Sequence, residues 1–168
     1  MTLIWMSPMS AGQSRTSLLL RPRDRAALRD GSFLLRRRRA RRCQVVAALR
    51  YDTTYPGDPG ATIHRRIRPA CPVTTPAVKD EVWIPDVARR GWLIITRDRH
   101  IQDHPAEIAA VRHHGAKMVA LSAADAGSVW NQLEVVMANW RRFEQLVSEA
   151  GPFVWRATRS GLGKVNLG

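Results

Sequence analysis

The sequence predicts an α/β fold, with a mainly parallel β-sheet flanked by helices. Trp92-Leu-Ile-Ile-Thr96 is a short, unbroken apolar run, the pattern of a strand buried on both faces and covered by helices. Lys117-Met-Val-Ala-Leu121 repeats that pattern. Between and around these runs, apolar residues recur at three- and four-residue spacing, so strand and helix alternate along the chain as a parallel sheet requires.

Residues 1–42 precede the regular pattern. The chain carries 27 basic and 14 acidic residues, a net charge of +13. Residues 1–50 hold 12 Arg against 2 Asp, and no Lys or Glu, so most of the excess sits in this one segment. Leu18-Leu-Leu20 is too short for a signal-peptide core or a membrane span, although an Arg-rich, acid-poor segment also resembles an organellar transit peptide. Arg36-Arg-Arg-Arg39-Ala-Arg-Arg42 reads either as a disordered basic arm for nucleic acid or as a coding artefact. A Val-Asp-Ala-Asp sequence written GTC GAC GCC GAC becomes CGT CGA CGC CGA, four arginines, when read one base early after a C. The run is therefore what an acidic strand end looks like in the wrong frame of a GC-rich gene. Phe33-Leu-Leu35 just before it has the look of a strand start.

Cys43 to Arg50 reads as a short helix, and Tyr51-Asp-Thr-Thr-Tyr55 as a strand. Pro56-Gly-Asp-Pro-Gly60 opens a loop of about twenty residues that Pro69, Pro72 and Pro76 punctuate, and loops of that length are usually functional or mobile. Within it, His64-Arg65-Arg66-Ile67-Arg68 is suited to phosphate contact or to a solvated basic surface. Thr75-Pro76 is a helix-start signal, and the helix is expected to run to Arg90 with Gly91 ending it. Trp83, Ile84, Val87 and Ala88 make its buried stripe, and Pro85 should kink or split it. Pro105 starts the next helix, which ends at Gly115. A single long helix is expected from Ala124 to Val147, with Trp130, Leu133, Val136, Met137, Trp140 and Phe143 inward. Pro152 to Arg156 reads as an edge strand and residues 161–168 as a frayed tail.

Two cysteines, Cys43 and Cys71, are too few for a disulfide framework and lack the spacing of a zinc site, which points to a cytoplasmic protein with reduced thiols. No run of about 18 apolar residues occurs, so no membrane partner is expected.

Chemistry is expected where the apolar run 92–96 gives way to Arg97 and Asp98, because open parallel sheets place their sites outside the carboxyl ends of strands. Asp80-Glu81 supplies a second carboxylate source on the preceding helical pattern. Two such sources meeting at one rim suit a divalent cation. Lys79, Arg97 and Arg99 border these carboxylates, and with Arg65 and Arg66 they are candidates for holding phosphates. His100, His104, His113 and His114 lack acidic or thiolate partners at ligand spacing and are set aside.

Lys79-Asp-Glu-Val-Trp83, Ala88-Arg-Arg-Gly-Trp-Leu-Ile-Ile-Thr-Arg-Asp98, Ile101, Pro105-Ala-Glu107 and Gly151-Pro-Phe153 together resemble the PIN-like domain family, the metal-dependent ribonuclease fold of VapC-type toxins. The resemblance covers residues 43–160, with 1–42 as an aberrant basic segment and 161–168 as a tail. It implies a Rossmann-like sheet whose rim carboxylates hold Mg²⁺ or Mn²⁺. On that basis Asp80 and Asp98 are the expected metal ligands, and Glu81 or Glu107 a further ligand or the group that orients the attacking water. RNA, a cognate antitoxin and a second copy of the chain are the implied partners. Such domains also begin with a strand ending in Asp, and Arg36 to Arg39 occupy that place here. The encoded chain is accordingly expected to be an inactive or impaired ribonuclease, with a non-catalytic basic RNA-binding protein as the other reading.

Overall fold

The computed structural model describes residues 3–5, 34–35, 43–97, 105–122 and 124–167. The sheet is built on a parallel centre of β5 (Leu93–Thr96), β6 (Lys117–Leu121) and β7 (Phe153–Ala157). β8 (Leu162–Val165) closes one edge antiparallel to β7. Beside β5, β1 (Leu3–Trp5) pairs antiparallel and β2 (Leu34–Leu35) pairs parallel. Every residue of β5 is buried, as its uninterrupted apolar sequence requires.

Helices cover both faces. Under α2 (Asp80–Arg89) and α3 (Pro105–His114), the side chains of Trp83, Ile84, Val87 and Val111 pack on Ile94, Met118 and Val154. The opposite face packs Leu93, Ile95, Val119, Leu121 and Phe153 against Val135 and Val136 of α4 (Val129–Ala138) and Phe143, Leu146 and Val147 of α5 (Trp140–Ser148). Alternate residues of each strand thus feed alternate cores, the arithmetic of a period of two. A seven-residue α1 (Cys43–Leu49) precedes this body.

Two connections share one design. After α2, Gly91 takes φ 68°, its N–H bonds Ala88 O at 2.8 Å and the Trp92 N–H bonds Val87 O at 3.3 Å. After α3, Gly115 takes φ 64°, its N–H bonds Arg112 O and the Ala116 N–H bonds Val111 O at 2.9 Å. Both are Schellman turns, in which a left-handed glycine lets the chain reverse directly into the next strand.

Several expectations give way to the structure. Residues 51–55 form no ladder strand; Asp52, Thr53 and Thr54 are buried, and their polar side chains are satisfied by one another and by Arg50 and Asp58. The long loop contains a two-stranded hairpin, β3 (Ala61–Ile63) with β4 (Arg66–Arg68). His64 and Arg65 take φ 47° and 66° at its two-residue turn, which the right-handed twist of a hairpin demands. The helix expected from Thr75 starts at Asp80, because the Thr75 hydroxyl accepts from the Ala77 N–H in a local turn instead of capping a helix. Pro85 neither splits nor ends α2; its missing N–H orphans only the carbonyl of Glu81, an exposed residue.

The long helix expected over 124–147 is two helices broken at Asn139. That residue is buried, and its amide donates to Val135 O at 2.9 Å and to Thr158 O at 2.7 Å, tying the break to the β7–β8 turn. The break rotates the two faces, so Trp130 is 68% and Met137 61% exposed while Trp140 is half-buried. β7 lies inside the sheet and the edge belongs to β8, where the composition suggests a frayed tail. Among the described residues, no helix is long and apolar enough to cross a membrane.

Candidate active site at the carboxyl rim of the sheet

Chain geometry brings the helix starts to the strand ends. From Asp80 to Arg89, α2 rises about 13 Å, and from Leu93 to Arg97 an extended chain covers about the same distance in reverse. The tight turn at Gly91 therefore returns the start of α2 to the level where β5 ends. The same count holds for α3 and β6, each of matching length around Gly115. Both helix N-termini finish at the carboxyl rim, and α2 packs against α3.

Each N-terminus carries carboxylates. Asp80 is the first residue of α2 and is buried, its Oδ1 accepting a hydrogen bond from the Trp83 indole Nε1 at 3.1 Å. One oxygen is thereby oriented by the core, and the helix dipole favours negative charge at that position. Glu81 follows it and is exposed. Glu107 sits in the first turn of α3, half-buried. Thr96 ends β5 as a buried residue and Arg97 follows it into solvent, with Lys79 also exposed at the start of α2. Asp98 and Arg99 lie outside the described residues, as do His100 and His104. The described site residues come from two helix starts and one strand end, and Asp98, the residue on which the sequence pattern turns, lies outside the described residues.

The basic loop divides into two roles. Arg65 and Arg66 are exposed at the hairpin, and the Arg66 guanidinium lies 4.5 Å over the Tyr51 ring. Arg68 is not a phosphate contact. It is buried, with Nε 2.9 Å from Asp58 Oδ2, and it donates to the backbone carbonyls of Ala47 and Arg50. Asp58 also accepts from the Thr54 hydroxyl at 3.0 Å and the Gly60 N–H at 2.9 Å. The pair fixes the hairpin against α1, Arg68 through the Ala47 and Arg50 carbonyls and Asp58 through Thr54 and Gly60. Nearby, Asp52 accepts from Arg50 Nε at 2.8 Å, and Arg50 stacks 4.6 Å over Trp140 while Trp140 Nε1 donates to Glu144 at 2.9 Å. The sequence alone does not sort these arginines, because the sorting depends on which strand face each occupies.

A family model described as a PIN like domain matches residues 45–123. This segment is similar to that family. The match takes in the hairpin and the α2, β5, α3 and β6 elements that build the rim. With the α/β architecture and the parallel centre of the sheet, it marks a nuclease-type fold. No curated protein and no solved structure matches the chain.

PIN domains generally use divalent metal ions. The donor chemistry at this rim fits one: carboxylate oxygens are the hard ligands that Mg²⁺ and Mn²⁺ take, and Mg²⁺ is commonly held by one or two carboxylates with water and substrate phosphate. Among the described residues, no three His, Cys, Asp or Glu side chains group closely enough to hold a metal unaided. Few protein ligands is the ordinary case for Mg²⁺.

Proposed function

We propose that the chain is an endoribonuclease-like protein of the PIN type, dependent on Mg²⁺ or Mn²⁺, the toxin member of a VapC-like toxin–antitoxin pair acting in the cytoplasm, and that as encoded it is impaired or inactive because the first-strand Asp is missing. The observation that supports this reading is that Asp80 and Glu107 stand in the first turns of α2 and α3, two helices packed against each other in the segment that the PIN-like family model matches. Asp80 would hold the metal together with Asp98, which follows β5 in sequence. When bound, the ion supplies a nucleophilic water and neutralises charge on the scissile phosphate. Glu81 and Glu107 would complete the acidic set, as ligand or as acceptor for the water proton. Lys79 and Arg97 flank it with positive charge for the RNA backbone, and Arg65 and Arg66 extend that charge along the hairpin.

The first strand bears on competence. β2 ends at Leu35 beside β5, and Arg36 follows where an acidic residue would complete the metal site. The chain as encoded is therefore a weak or inactive nuclease. Restoring a carboxylate by Arg36→Asp should produce Mn²⁺-dependent cleavage of RNA that chelator abolishes. Adding Asp80→Asn to that variant should remove at least about a hundredfold of the activity, or roughly 2.7 kcal/mol of transition-state stabilisation. Cleavage that survives Asp80→Asn, or no cleavage in any acid-restored variant, overturns the metal-nuclease reading. RNA binding without cleavage in the second case favours the other reading, a non-catalytic basic RNA-binding protein, which the exposed Arg65–Arg66 hairpin supports. A bound antitoxin and a homodimer are further proposals on family grounds, read out by co-purification and by mass in solution.

A further inference from the structure

The first turn of α2 ties the proposed metal ligand to the core. Trp83 stands three residues after Asp80, and long side chains on a helix lean back towards its N-terminus, so the indole reaches the Asp80 carboxylate. The bond from Nε1 to Oδ1 measures 3.1 Å, and the two residues are 4% and 7% exposed. Other indoles are used differently. Trp130 and Trp140 donate to glutamates one turn ahead, Glu134 and Glu144, at exposed or half-buried positions. Trp92 and Trp155 bury Nε1 with no hydrogen-bond partner among the described residues. Of these five, only Trp83 joins a buried indole to a buried carboxylate.

The ring is held in place by the core that it shares with Val73, Val87 and Ile94. If Asp80 swung to another rotamer, the buried N–H would lose its acceptor, and stranding a buried donor costs more than an ordinary hydrogen bond contributes. A carboxylate has about four lone-pair sites, so accepting this bond is compatible with binding a cation.

We propose that Trp83 is a positioning residue for the metal site, its indole N–H fixing the Asp80 carboxylate in one orientation before the cation arrives. This rests on the proposed metal site. Hydrogen-bond partners that orient a ligating side chain typically contribute about ten- to a hundredfold in metal affinity.

The test is the Mn²⁺ affinity of the full chain, unaltered and with Arg36→Asp, read from the electron paramagnetic resonance signal of the free ion. Trp83→Phe keeps an aromatic ring and loses the N–H, and should weaken Mn²⁺ binding about tenfold. In an Asp80→Asn background the same change should add nothing, because the carboxylate that it serves is gone. Val87→Ala trims the same buried stripe of α2 and touches no N–H, so it should lower the urea midpoint and leave the affinity unchanged. The chain with Trp83 intact carries the test if Trp83→Phe folds poorly: in ¹⁵N–¹H spectra one indole signal should move on adding Mg²⁺ and stay still in Asp80→Asn. In a chain that binds Mn²⁺ through Asp80, unchanged affinity in Trp83→Phe, an equal loss in Val87→Ala, a further loss in the double variant or indole signals indifferent to Mg²⁺ overturn this assignment while the metal reading stands. If neither chain binds Mn²⁺, or if Asp80→Asn binds it as tightly, both fall.

Discussion

Removing the Asp58 carboxylate should release the basic hairpin. Asp58 and Arg68 are 3% and 5% exposed, and Asp58 accepts from Arg68, from Thr54 and from the Gly60 N–H. Asp58→Ala leaves a buried guanidinium without its counter-charge, a change that costs about 3–5 kcal/mol. With a urea m-value of about 2 kcal/mol/M, the midpoint should fall by roughly 2 M. By contrast, Asp86→Ala removes a pair whose side chains are 75% and 53% exposed and should leave the midpoint where it was. Urea unfolding followed by tryptophan fluorescence measures both. The double variant Asp58→Leu/Arg68→Met should recover much of the loss, because it removes the stranded charge as well. A fall of less than about 0.5 M in Asp58→Ala, near 1 kcal/mol on that slope, would show that the pair does not anchor the hairpin.

Two other perturbations test the body of the fold. A Cβ on Gly151 would run into the Gly115 carbonyl oxygen, a backbone atom that cannot swing aside, so Gly151→Ala should cost about 1–3 kcal/mol; an unchanged thermal midpoint would show that the two turns do not touch. Burial pushes the Cys71 thiol up from 9.0 to about 12. The unfolded thiol ionises first as pH rises, so the stability that buried Cys71 contributes is complete below about pH 9 and is lost as pH climbs towards 12. The stability gap between the unaltered protein and Cys71→Ala, measured by urea unfolding, should close over that window. A gap that stays constant up to the alkaline end would refute the burial argument.

What the sequence disclosed follows from which interactions are local. β5, β6 and α3 are legible because apolar runs, Gly115 and Pro105 act on their own neighbourhoods. The hairpin at 61–68 is hidden because its turn residues, His64 and Arg65, are not the glycine or asparagine that usually announces positive φ. The break at Asn139 depends on a hydrogen bond to Thr158, nineteen residues away, which no helical periodicity contains. β8 exists because β7 offers it an edge. Asp80, Glu81 and Glu107 are visible in the sequence as acids on helical patterns, but that Asp80 begins α2 is not, because Thr75-Pro76 offers an earlier start signal. Arg68, one of five residues in a basic run, changes role because Asp58 is beneath it.

The paired turns at Gly91 and Gly115 set where selection can act. They fix the height of both helix starts by residue count alone, so the rim geometry does not depend on any contact made at the rim. Single-residue substitutions among 79–81 or 105–107 can thus change charge and chemistry while the scaffold keeps its shape. Adding or deleting one residue between either helix and its strand is different: it would turn every side chain of that strand to the opposite core. Lineages of this domain should therefore vary in the composition of the rim and be intolerant of length changes in two short turns on the far side of the molecule.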